Sequence, residues 1–93
     1  MIMQQNDYKT KLLAQELGAI IRNLRAKELT VALDKLANSY GISKGTLSNI
    51  ENGEYNCKII TLWKIAEAMG IKPSYILQLL EEKLGNDFKF FDE

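Results

Sequence analysis

Residues 33–52 read LDKLANSYGISKGTLSNIEN, and four positions in this stretch are constrained in type: Ala37, Gly41 four residues on, Leu47 six further, and Ile50 three beyond that. Ala37 is small enough to let a following helix cross close over its own. Gly41 accepts the positive φ that a sharp turn between two helices needs. Leu47 and Ile50 put two branched apolar side chains on one face of the second helix, toward the first. Ser43 supplies an N-cap for that second helix, and Gly53, after Asn52, supplies its stop. Two short helices meeting across a tight turn are predicted, with the spacing of a helix-turn-helix.

Outward from this stretch, no segment shows sustained strand-like alternation, and the predicted fold is all-α with five helices. The first helix is expected to start at Asp7 as N-cap and to end around Lys27. Its apolar stripe is Leu13, Leu17, Ile20, Ile21 and Leu24. Thr30 is the expected N-cap of the second helix, which presents Leu33, Leu36, Ala37 and Tyr40 on one face. After a polar loop at 54–58, residues 59–69 read as a fourth helix closed by Gly70. Ile59, Leu62, Ile65, Ala66 and Met69 form its expected core face, and Trp63 is also assigned to the core. Pro73 opens a fifth helix through Ile76, Leu77, Leu79, Leu80 and Leu84 to Gly85. The expected division is a helical domain over 1–85 and an acidic, aromatic tail over 86–93.

The chain has 93 residues, 46% hydrophobic and 26% charged, which suits one compact helical core. Twelve Lys and Arg balance twelve Asp and Glu, so no global basic charge argues for nucleic acid. The balance is uneven along the chain. Residues 1–58 carry eight basic and six acidic side chains, and 59–93 carry four and six. With no His and one Cys, the chain cannot build a tetrahedral zinc site, an internal disulfide or a His-based acid/base pair. No catalytic residue, metal or cofactor is expected. The N-terminus lacks the apolar run of a signal peptide or membrane span, so a cytoplasmic protein is expected.

Several blocks in order carry a resemblance: Leu36-Ala37, Gly41-Ile42-Ser43, 47–53 (LSNIENG) and 61–70 (TLWKIAEAMG). Together they resemble the Cro/CI-type (XRE family) helix-turn-helix regulators over roughly residues 17–80. The resemblance implies a lambda-repressor-like five-helix DNA-binding domain, without catalytic activity, that lays its third helix in the major groove. Mapped onto this sequence, Lys44, Gly45, Thr46, Ser48 and Asn49 would contact bases. Lys44 suits guanine, Asn49 has the paired donor and acceptor that suit adenine, and Thr46 offers a hydroxyl and a methyl. Ser43, Asn52, Tyr55, Asn56 and Lys58 would hold phosphates. The resemblance also implies a structural pair between Arg25 and Glu51 that orients the reading helix.

Three departures stand out. Residues 25–36 are one residue longer than the family pattern, so either the first connection bulges or the second helix begins a turn early. Leu33 stands where the family often has a Gln that bonds a phosphate, and Cys57 where a Pro is frequent. Cys57 is expected to act as a small apolar residue. Few cations are available per subunit, so double-stranded DNA with a two-fold symmetric operator is expected to be bound by a homodimer. Leu79, Leu80, Lys83, Leu84, Phe88, Phe90 and Phe91 are candidates for an association surface, the Phe residues alternatively folding back on their own core. The function expected is a sequence-specific transcriptional regulator acting as a repressor. The alternative is a helix-turn-helix-fold interaction module, an antitoxin or regulator-binding partner, using the C-terminal tail.

Overall fold

The computed structural model describes residues 4–29, 32–54 and 56–91. Among them are five α-helices and no strand: α1 (Gln4–Asn23), α2 (Leu33–Tyr40), α3 (Lys44–Glu51), α4 (Ile59–Ala68) and α5 (Pro73–Leu84). α1 packs against both α3 and α5, α2 packs against α3 and α4, and α4 closes on α5. The core at their centre is Ile21, Leu24, Leu36, Ala37, Ile42, Leu47, Ile50, Leu62, Ile65, Ala66, Met69 and Ile76, with Leu17, Ile20, Cys57 and Leu79 partly buried against it. No helix of the described residues is long and apolar enough to cross a membrane.

α1 is already helical at Gln4, so Asp7 lies inside the helix and is no N-cap. Gln is a better helix former than the cap reading allowed for, and the helix extends through it. At its other end the helix widens into a π turn over Leu24–Glu28, closed by the Leu29 N–H donating to the Leu24 carbonyl at 2.8 Å. A π turn takes up one more residue than an α turn. It falls in the stretch that exceeds the family pattern by one residue.

α2 starts at Leu33 with Ala32 as N-cap, which has no side-chain oxygen to offer. Thr30, the expected cap, lies outside the described residues. Asp34 in the first turn supplies the negative charge that favours this helix end. At the far end Gly41 has φ 69°, and the N–H of Ile42 donates to the Ala37 carbonyl at 3.0 Å. The Gly41 N–H donates to the same carbonyl, so two N–H groups converge on Ala37 and close the helix, with Ile42 and Ala37 both buried.

Two core assignments on α4 are corrected. Ile59 is 59% and Trp63 55% exposed, while Leu62, Ile65, Ala66 and Met69 are buried. α4 is apolar almost all round, and a helix can turn only one stripe to a core. The stripe at 62, 65, 66 and 69 takes that place, and Ile59, Ile60 and Trp63 are left outside.

The tail returns to the body. Phe88 and Phe90 are half-buried and meet edge to face, centroids 5.4 Å apart, and the Lys9 ammonium of α1 bonds the Lys89 carbonyl. On α5, Leu80 is buried and Lys83 pairs with Glu16 at 3.6 Å. Phe91 alone of the three Phe is exposed.

Candidate nucleic-acid interface

α3 is two turns long, and every third or fourth residue alternates in fate. Leu47, Ile50 and Glu51 are buried; Lys44, Gly45 and Asn49 are exposed, and Ser48 is half-buried among them. With Asn52 just past the helix, the outward set runs i, i+1, i+4, i+5, i+8, which is one helical face. Thr46 lies at its margin, half-buried, and its N–H donates to the Ser43 side chain at 3.3 Å. Ser43 therefore spends its hydroxyl oxygen on the helix start, a bond worth about 1 kcal/mol. The other N–H groups of the first turn face outward with the positive end of the helix dipole.

Asn56 and Lys58 are exposed in the loop that leaves α3, and Tyr55 lies outside the described residues. The Lys58 carbonyl accepts from Leu62 and caps α4, leaving its ammonium unconstrained by that role. Lys44 is not wholly at liberty: its ammonium stands 2.7 Å from the Asp34 carboxylate of α2. Both side chains are 63% exposed, so this pair contributes little and can be exchanged for a phosphate or a base edge.

The rear of α3 is fastened more firmly. Arg25, in the π turn, donates from Nε to Glu51 Oε2 at 2.6 Å and from Nη2 to Oε1 at 3.0 Å. The side chains are 12% and 5% exposed, so the fork is shielded from water, and its bond to Glu51 holds the guanidinium above its ordinary pKa. Beside it, Gly18 of α1 lies so close that a Cβ there would stand 2.1 Å from the Ile50 carbonyl oxygen and 2.8 Å from that of Glu51. Only glycine lets α1 cross the end of α3 at this distance.

A helix-turn-helix family model matches residues 21–76, from the last turn of α1 to the first turn of α5. The chain belongs to the helix-turn-helix family of Cro/CI (XRE) type. Neither a curated protein nor a solved structure matches it. As a helix-turn-helix DNA-binding regulator, the protein has α2 and α3 as its paired helices.

Gly18 and the Lys44–Asp34 pair are the site features that sequence reasoning passed over. A glycine inside a strongly helical run costs about 1 kcal/mol relative to Ala, and that cost was the available signal for Gly18. Lys44–Asp34 had none, because their approach depends on the angle between α2 and α3. Gly45 differs from Gly18: the nearest atom to a Cβ there would be Ser43 Oγ at 3.7 Å, so nothing within the chain demands a glycine. Cys57 is half-buried against the core, its thiol donating to the Lys58 carbonyl at 3.6 Å, and burial pushes its pKa up to about 11.

Proposed function

We propose that the protein is a sequence-specific repressor that binds a two-fold symmetric operator as a homodimer, with α3 in the major groove of each half-site. The observation that carries this reading is the outward face of α3, where Lys44, Gly45, Ser48 and Asn49 stand together while the opposite face is buried and clamped. In this reading Lys44, Gly45, Thr46, Ser48 and Asn49 meet base edges. Ser43, Asn52, Tyr55, Asn56 and Lys58 meet the backbone, and Arg25 with Glu51 fixes the pose of the helix. Half-sites lie about 10 bp apart. Occupancy of the operator excludes polymerase, which is repression.

Selection from a randomised duplex library at two salt concentrations tests it. Enrichment of a palindromic consensus supports the reading, and affinity should fall steeply with salt. Asn49→Ala should relax preference at one base pair at a cost of about 1–3 kcal/mol, and Lys58→Ala should weaken all sequences alike and flatten the salt slope. Recovery of no consensus at either salt contradicts it. A second reading, a protein-binding module such as an antitoxin, draws support from the zero net charge and from Phe91 exposed on the tail.

A further inference from the structure

The starts of α2 and α3 are joined by a single contact. Asp34 stands in the first turn of α2 and Lys44 is the first residue of α3, with carboxylate and ammonium 2.7 Å apart. Both side chains are largely exposed, so the core makes no demand on either. Each helix start carries partial positive charge, and the Lys44 ammonium adds a full one. Such a corner attracts anions, and DNA offers it a phosphate at every step whatever the sequence. Asp34 is the one acidic side chain in the first turn of either helix, and it opposes that attraction.

We infer that Asp34 is a specificity-determining residue, which holds the Lys44 ammonium away from phosphates and reserves it for a guanine edge. The count of donors and charges carries this. An ammonium has three N–H donors, so Lys44 can keep Asp34 as a partner and still donate to guanine N7 and O6. Transfer of Lys44 to a phosphate differs, because it leaves the Asp34 carboxylate unpaired beside a second anion, and the two repel. The pair is thus close to neutral toward the backbone of any DNA and favourable toward one kind of base pair. Asp34 acts through Lys44, as a positioning residue.

The inference rests on the base contact that the proposed function gives to Lys44. Two measurements on the full chain test it. The first is fluorescence anisotropy with a short duplex of randomised sequence at several salt concentrations. Asp34→Asn should bind this duplex about tenfold more tightly than wild type, and its salt slope should steepen by about 0.9 per subunit, the value for one further phosphate neutralised. The second is selection from a randomised duplex library, carried out in parallel with wild type, Asp34→Asn, Lys44→Met and the double variant. Asp34→Asn should relax preference by about tenfold at the same G·C pair that Lys44→Met relaxes. The double variant should lose no more preference there than Lys44→Met alone, since both act on one contact.

Asp34→Glu keeps the charge and should retain both the wild-type preference and the weak binding to randomised DNA. Far-ultraviolet circular dichroism should be unaltered in every variant. A simple charge effect would raise affinity for the selected consensus and the randomised duplex alike, and an Asp34→Asn protein that does so overturns the inference. Unchanged affinity of Asp34→Asn for the randomised duplex overturns it too. Failure of the wild type to select any consensus removes the proposed function and the inference together, whereas a consensus that Asp34→Asn keeps with every preference intact removes the inference alone.

Discussion

Arg25 and Glu51, 26 residues apart, are joined by two parallel hydrogen bonds that tie the π turn after α1 to the last residue of α3. Removing one partner leaves the other charged and shielded from water. Arg25→Met should therefore cost about 3 kcal/mol, and a domain of this size should melt more than about 10 °C lower. The double variant Arg25→Met/Glu51→Met should be more stable than Arg25→Met alone, since no orphaned charge remains. Thermal unfolding of the wild type, both single variants and the double variant checks this.

Gly18→Ala tests the crossing of α1 over α3. The added methyl has no room against the Ile50 and Glu51 carbonyls, and both obstacles are backbone. The two helices must separate, at a cost of about 1–3 kcal/mol. Operator affinity should drop together with the melting temperature, because the end of α3 moves with the clash. An unchanged melting temperature would contradict the close crossing.

Gly45→Ala should separate stability from binding. The methyl makes only an ordinary 3.7 Å contact with Ser43 Oγ and removes backbone freedom from the unfolded chain, so the free protein should gain about 0.4–1 kcal/mol. DNA affinity should fall, since the same methyl stands on the exposed face of α3. Gain in both assays would place Gly45 away from DNA.

Cys57 should react slowly. With its pKa raised from 9.0 to about 11, the folded protein holds roughly one hundredth of the thiolate of an unfolded chain near pH 8. Iodoacetamide alkylation should accelerate by a comparable factor on denaturation. This group favours the fold fully below pH 9.0, and that contribution is lost as pH rises toward about 11. Alkylation as fast in the folded as in the unfolded protein would contradict the burial.

The turn between α2 and α3 was readable from sequence because its causes are local. Gly41 must adopt positive φ, Ser43 sits three residues before the N–H it caps, and Leu47 and Ile50 share a face by spacing alone. Asp7, Ile59 and Trp63 were misassigned for the opposite reason. Where α1 begins is decided by how far helix-forming residues extend, and a polar residue inside that run can pass for a cap. Which stripe of an apolar helix is covered depends on the elements packed against it, and hydropathy alone ranks Trp63 with Leu62. The closeness of Gly18 to α3 is likewise a fact of helix crossing, visible in sequence only as an oddly placed glycine.

The grip on α3 is lopsided. Arg25, Gly18 and the buried Ile50 hold its last turn, whereas the outward residues at 44, 45, 48 and 49 contribute almost nothing to the core. In the proposed function, stability and recognition fall to different side chains of one eight-residue helix. New operator preferences can be acquired by exchanging those outward residues while the scaffold stays intact, so the domain is a suitable frame for respecification by selection at four positions.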